Sequence, residues 1–447
     1  MRVAGIDWEA AHREAMEHLK ALLRFDTSNP PGNETPAARY VEKVLREAGI
    51  AAEVLESEPG RGSCVARLEG KGEGGPLLLT SHLDVVPAEA DKWKHPPFAA
   101  IEDGGWLYGR GAIDMKSMTA YALMTLLLLK RHGVVPRRDV ILSAVADEEE
   151  GGAHGMGFLV DKHPDRVRAE YAFNEVGGFT LTSGNRRLYP VQVASKGFAW
   201  MTLRAERPPA HGSVPREDSS IHVLAAAVER LKTRRLPFHI HPAAEGLVHR
   251  LAEGLPWPQG AVLRGVLKPA IADFILTRLI PDRDRARALS ATLRNTATVT
   301  GLRAGGKANV IPGQAEATVD GRFVPGQTVE DLVREVREVV GDGISIDVFR
   351  SGAPVITEVD TPLFRVIREV IARRDPGAEA VPYLMVGFTD AVHLAKLGVK
   401  TYGFSPVKLP PDVPFASLYH AHDERIPIEG LRWGLETFVE TVAEFVA

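Results

Sequence analysis

The sequence predicts an α/β chain built on a mostly parallel sheet flanked by helices, with a smaller α+β domain inserted into it. Three features carry this reading. Short apolar runs alternate with stretches of helical spacing over the first 194 residues, the texture changes near Ser195-Lys196-Gly197, and the first texture returns from about residue 353. Alternating strands and helices mark a sheet wrapped on both faces, and 447 residues exceed what one hydrophobic core usually fills. The expected division is a main domain in two parts, 1–194 and 353–447, around an insert at 195–352.

Residues 7–24 have helical spacing through Trp8, Ala11, Ala15, Leu19, Leu22 and Leu23, and Asn29-Pro30-Pro31-Gly32-Asn33 ends that unit as a loop. Thr35 is expected to cap a second helix running to Gly49. Strands follow at 51–56, 63–69 and 76–81, then a loop at 92–98, a helix from Met115 to about His132 and a strand at 139–146. In the insert, 186–205 reads as two antiparallel strands and 219–232 as a helix. Strands at 296–303 and 314–324, a helix at 328–340 and a strand at 344–349 complete it. Residues 237–294 are rich in Pro and Arg and partly helical, with no assigned role. A helix at 360–374, a strand at 399–403 and a helix at 429–445 return to the main sheet.

Composition narrows the function classes. With 45% hydrophobic and 25% charged residues, the chain is that of an ordinary soluble globular protein. A net charge of -4, from 54 basic and 58 acidic residues, gives no reason to expect nucleic acid or an anionic membrane as partner. The single Cys64 excludes an intrachain disulfide and suits a reducing, cytoplasmic compartment. Asp7 and Glu9 interrupt the place where a signal peptide needs its apolar core. The apolar stretch Ala120–Leu129 is half a spanning helix and reads as a core helix. No Gly-x-x-x-x-Gly-Lys-Ser/Thr loop is present, which argues against nucleotide chemistry.

Polar clusters stand where the apolar runs end: Ser81-His82-Leu83-Asp84, then Gly109-Arg110-Gly111-Ala112-Ile113-Asp114-Met115-Lys116, Asp147-Glu148-Glu149-Glu150-Gly151-Gly152 and Asn174-Glu175-Val176-Gly177-Gly178. Chemistry in open α/β sheets collects at the carboxyl ends of the strands, so these loops could converge. His82 and Asp84, two apart on extended backbone, face the same way, and a carboxylate beside an imidazole is the usual partner that orients a metal-bound histidine. Each cluster also has a plainer reading: a polar strand end, a helix cap at Asp114, a solvated acidic run at 147–150. Carboxylates at the end of a buried strand are costly unless cations neutralise them, and the shared position at strand ends therefore favours a metal site.

Taken together, Ser81-His82-x-Asp84, Gly109-Arg110-Gly111-x-x-Asp114-Met115-Lys116, Asp147-Glu148-Glu149-x-Gly151-Gly152, Asn174-Glu175-x-Gly177-Gly178 and His420-x-x-x-Glu424 resemble the motif set of the M20 metallopeptidases, over nearly the whole chain and in the same order. The resemblance implies a zinc-peptidase-like catalytic domain, a lid and dimerisation insert, and a site for two divalent metal ions, zinc first, with manganese or cobalt also suited. It implies that His82 and Glu175 hold one ion, that Glu149 and His420 hold the other and that Asp114 bridges them. Glu148 is then the general base, with Asp84 behind His82. His420 is preferred to His422 on the family's spacing to Glu424. His211 in Pro209-Ala210-His211-Gly212-Ser213 resembles the insert's histidine that helps hold the reacting carbonyl, often across a dimer. Asn309 and Arg322 resemble lid residues that contact substrate.

One departure bears on substrate. Where the deacylase branch often carries an arginine after its Gly-Thr-x-Asp motif, this chain reads Gly387-Phe388-Thr389-Asp390-Ala391-Val392-His393. A substrate carboxylate would then be met by Arg322 or by amides around Thr389. The long insert is more similar to the carboxypeptidase S and N-acyl-amino-acid hydrolase branch. The expected activity is hydrolysis of the amide of an N-acyl amino acid or short peptide with a free carboxylate. The alternatives are an aminopeptidase or dipeptidase that recognises a free amine, and a binding protein that kept the metals and lost turnover. Partners are expected to be a small substrate and a second copy of the chain.

Overall fold

The computed structural model describes residues 5–447, which form two compact units: 5–193 with Thr357–Tyr383 and Thr389–Ala447, and Ala194–Ile356 with Leu384–Phe388. In the first unit the strands lie in the order Ala51–Glu56, Gly62–Leu68, Val140–Val145, Leu77–His82, Tyr171–Asn174, Lys400–Gly403 and Arg186–Ser195. The four from Val140–Val145 to Lys400–Gly403 are parallel, and those on either side pair antiparallel. The sheet is therefore parallel only at its centre.

Parallel neighbours need a crossover, and the helix Lys116–Arg131 supplies the one from Leu77–His82 to Val140–Val145. It is buried from Lys116 to Leu129, as suits a helix whose apolar residues spread round every side. One side lies on the two strands it connects, and the helices Trp8–Leu23 and Ile428–Val446 cover it. Val65, Leu78, Ile141, Val145 and Ala172 pack with Met156, Leu159, Val160 and Leu394 in a second apolar cluster. Because side chains alternate along a strand, residues such as Leu78 are free to serve that cluster while Leu77 and Leu79 project the other way. With both faces filled, the polar residues that end the central strands collect along one edge.

The second unit has an antiparallel sheet in the order Thr296–Ala304, Gln314–Phe323, Gly197–Glu206, Ser345–Gly352. Ala199, Met201, Leu203 and Ala205 alternate inward, as do Ala315, Ala317 and Val319, and they share a core with Leu224, Leu332 and Val336 from the helices Ser220–Thr233 and Val329–Val340. Thr328 and Asp331 cap the latter helix reciprocally. A Cβ on Gly321 would stand 2.6 Å from Met201 Cε and 2.7 Å from Ala199 O, so only glycine fits beside Arg322.

Several expectations are corrected. Residues 186–205 are two strands, but they join different sheets with a break at Lys196, so they are not partners of one another. Thr35 is the first residue of its helix. The cap is Glu34, and the Thr35 hydroxyl donates to Glu56 at 2.5 Å. Asp114 does not cap the helix that follows. Met115 occupies that position, without a side-chain cap. The segment 237–294 is mostly helical, with helices at Pro242–Glu253, Gln259–Gly265, Pro269–Phe274 and Arg283–Thr292. The strand Ala378–Met385, which pairs with Arg186–Ser195, had no expected counterpart. It carries Pro382, a residue that weakens any strand reading.

Candidate active site

The first-unit residues singled out in the sequence converge at the carboxyl end of the central strands. His82 ends the strand Leu77–His82. Glu148 and Glu149 form a single turn just beyond Val140–Val145, and Asp147 turns the chain there at a φ of 70°. Glu175 directly follows Tyr171–Asn174. Asp114 comes from the turn before the buried helix, and His420 from a loop near the carboxyl terminus, at a φ of 56°.

Asp114 stands between the two imidazoles. Its Oδ1 lies 3.2 Å from His82 Nε2 and its Oδ2 lies 3.2 Å from His420 Nε2. On one side Glu175 Oε2 is 3.6 Å from His82 Nε2, and on the other Glu149 Oε2 is 3.2 Å from His420 Nε2. Two donor triads result, His82–Asp114–Glu175 and Asp114–Glu149–His420, each with its donor atoms within 4.8 Å of one another. His422 faces away from both, with its Nε2 3.4 Å from Glu89.

The chemistry of the donor set fits divalent cations. Glu149 Oε1 and Glu175 Oε1 are buried without a hydrogen-bond partner, and such carboxylate oxygens are costly unless a cation meets them. The charge balance agrees. Burial pushes Glu149 up to about 7 against the pull of His420. Burial and the charge of Glu175 hold Glu148 well above the usual carboxylate range. Burial opposes charge on His82, yet Asp114, Asp84 and Glu175 outweigh it and raise the imidazole well above its ordinary value. Asp114 and then Glu149 raise His420 to about 10. Each of these shifts favours the proton-bound form of its group, and a bound cation would take the place of such protons.

Two supports lie behind the triads. Asp84 is fully buried, and its carboxylate accepts from the main-chain N–H groups of Glu148 at 3.0 Å and Glu149 at 3.1 Å. The atom nearest His82 Nδ1 is the main-chain oxygen of Asp84 at 2.9 Å, whereas its carboxylate is 3.5 Å away. Asp84 therefore orients the glutamate turn as much as the histidine. Glu424 is the second support. Its carboxylate accepts from Arg110 at 2.8 Å and from the N–H groups of Gly111, Ile113 and Asp114 at 3.0, 2.9 and 3.1 Å. Sequence reading used Glu424 only to choose between two histidines. Its burial, at 1% exposure, is what marks it as a brace.

The remaining candidates divide between the units. Thr389, in the first, is fully buried, and its hydroxyl accepts from the Ala391 N–H at 3.3 Å, so the side chain serves its own turn. In the second, His211 lies in a two-residue ribbon, Ala210–His211 against Val310–Ile311, beside Asn309, whose carbonyl accepts from the Gly212 N–H at 2.9 Å. Arg322 forks onto Asp320 at 2.8 and 3.1 Å, stands over the rings of Phe198 and Phe388, and keeps a buried Nη1 without a partner.

A mixed sheet between helices, with imidazoles and carboxylates at its carboxyl edge and a further glutamate among them, defines a metal-dependent hydrolase. The profile of peptidase family M20/M25/M40 matches residues 78–444, well over half of the chain, and the protein belongs to that family. It is similar to the N-fatty-acyl-amino acid synthase/hydrolase PM20D1 of Bos taurus, 31% identical over 96% of this chain and 86% of that protein. It is also similar to aminoacylase-1 of Homo sapiens, 26% identical over 91% of this chain and 89% of that one. Among solved structures, the M20 family metallo-carboxypeptidase Sso-CP2 of Sulfolobus solfataricus superimposes with a TM-score of 0.70 at 18% identity, covering 97% of this chain and 99% of its own. Among the described residues no helix is long and apolar enough to cross a membrane.

Proposed function

We propose that the protein is a dizinc amidohydrolase that cleaves the amide bond of an N-acyl amino acid or short peptide bearing a free carboxylate. The observation that carries this reading is the pair of triads sharing Asp114, with Glu148 buried beside them. His82, Asp114 and Glu175 would hold one cation, and Asp114, Glu149 and His420 the other. Manganese or cobalt would also suit this mixture of imidazole and carboxylate. Two cations in such a site supply Lewis acidity that polarises an amide carbonyl and makes hydroxide available near neutral pH. Glu148 receives the proton of the attacking water and passes it to the leaving nitrogen.

His211 supports the same reading through its tautomer. Its Nδ1 accepts from the Ser213 N–H at 3.2 Å, so in the neutral ring the proton sits on Nε2. That leaves a donor suited to the oxygen that gains charge as the carbonyl is attacked. Asn309 beside it and the unpartnered Nη1 of Arg322 are the polar groups we assign to the substrate, Arg322 to its carboxylate. Thr389 would contribute through main-chain amides, since its side chain is enclosed.

The acyl branch is favoured over recognition of a free amine because PM20D1 and aminoacylase-1, by name, act on N-acyl amino acids. A panel of N-acyl amino acids, their methyl esters and free dipeptides tests this with the zinc-loaded protein. Esterification of the carboxylate is expected to abolish turnover, whereas a requirement for a free amine would establish the aminopeptidase alternative.

We further read the protein as a cytoplasmic homodimer joined through its second unit. Among the described residues the outer strands Thr296–Ala304 and Ser345–Gly352 each leave one edge of their sheet unpaired, and such an edge is a template for another chain. The lone cysteine, Cys64, is buried, as suits a reducing compartment. Light scattering is expected to give twice the chain mass, and the mass of one chain would refute the dimer.

A further inference from the structure

Glu148 and Glu149 are consecutive, yet they must serve different purposes in the centre proposed above, so the turn that presents them has to be held firmly. It starts at Asp147, whose φ of 70° is one that L-residues seldom adopt and that the surroundings must enforce. A buried polar chain leads back from this turn. Asp84 holds the two glutamate N–H groups. Asn29 Nδ2 donates both to Asp84 Oδ2 at 2.9 Å and to Asp147 Oδ1 at 3.2 Å. Arg61 donates to Asp147 Oδ1 at 2.7 Å and, through two nitrogens, to Glu34 at 3.0 Å each. Its third terminal contact is the Pro31 carbonyl at 3.1 Å.

Each member is enclosed. Asn29 is 3% exposed, the side chain of Glu34 is fully buried, and those of Asp147 and Arg61 are 3% and 11% exposed. The fit around the guanidinium is tight, because a Cβ on Gly32 would stand 2.5 Å from Arg61 Cζ. Such an assembly is costly unless each partner is met, and here it ends on the glutamate turn.

We propose that Arg61 and Asn29 are positioning residues of the hydrolytic centre: acting through Asp147 and Asp84, they hold the turn from which Glu148 and Glu149 project, although neither touches a member of the two triads. The inference rests on the metal-site reading given above and reaches beyond it, since it places control of the glutamate side of the site in two connections, at Asn29 and at Arg61, 118 and 86 residues before Asp147.

The test compares Asn29→Ala, Arg61→Gln and Arg61→Lys with the native protein in zinc titrations against a competing chelator, alongside kcat and KM. Arg67→Gln, which breaks a partly exposed ion pair of the same length with Asp139 away from the site, is the control. Loss of a residue that orients ligands typically costs 10–100-fold in metal affinity or activity. Asn29→Ala and Arg61→Gln are each expected to lose about that factor in affinity for the zinc assigned to Asp114, Glu149 and His420 and in kcat, with KM unchanged. Arg61→Lys should recover part of it, because an ammonium can reach Asp147 but cannot fork between Asp147 and Glu34. Arg67→Gln should change neither quantity. Folded variants with native zinc affinity and kcat, and only a lowered melting temperature, would overturn the proposal. Should Arg61→Gln not fold, Asn29→Ala decides, since it removes two hydrogen bonds and no charge. Zinc affinity is read without any substrate, so this result stands apart from the choice of acyl substrate.

Discussion

Glu148→Gln is expected to lower kcat by two to four orders of magnitude, the usual worth of a positioned proton carrier, while the protein still takes up its metal. The two effects separate because Glu148 belongs to neither triad. A glutamine keeps the size of the side chain and forms no carboxylate that could receive the proton of water. The raised pKa of Glu148 arises from burial and from Glu175, both of which remain in the variant, so the surroundings are little altered. Steady-state rates on an N-acyl amino acid, with metal content measured on the same samples, provide the check. Retained turnover would remove Glu148 from the mechanism. Lost turnover with lost metal would make it a ligand instead.

Glu424→Ala is expected to have the largest effect on stability. It strips the acceptor from four donors at once and leaves the guanidinium of Arg110, 2% exposed, without its partner. Removing one member of a buried ion pair costs about 3–5 kcal/mol, and the loop that carries Asp114 loses its main-chain anchors in the same step. Urea unfolding should show the loss of stability, and metal titration should show weakened uptake, because Asp114 is common to both triads. Glu424→Gln should fall between, since its amide oxygen can still accept while its NH2 faces N–H groups that offer nothing to it. An unchanged urea midpoint in the alanine variant would show that this brace is dispensable.

Much of the fold was legible because the burial pattern is written in the order of residues. The run Leu77-Leu78-Leu79 opens a strand that is buried through His82 and becomes a central strand. The largely apolar stretch 120–129 becomes a helix enclosed on every side. Inward alternation in Gly197–Glu206 and Gln314–Phe323 produces the second sheet. Where the pattern was short or interrupted it misled. Pro382 masked the strand Ala378–Met385, and three-residue strands such as Trp106–Tyr108 have no period to detect. Motif order made the site's members recognisable, and the ends of the apolar runs located them along the chain.

Sequence alone determined which residues could do this chemistry: imidazoles and carboxylates stationed where buried strands end, in an order that marks the M20 family. Tertiary structure alone decided how they face one another. Which oxygen of Asp114 turns to His82 and which to His420, the grip of Glu424 on the Asp114 loop and the chain from Arg61 to the glutamate turn all join segments distant in the sequence, up to 314 residues apart for Arg110 and Glu424. The physical reason is that local propensity acts over a few residues. The direction of a buried carboxylate is set instead by whichever donors the folded chain brings to it, and those are known only once the sheet has closed its neighbours around it.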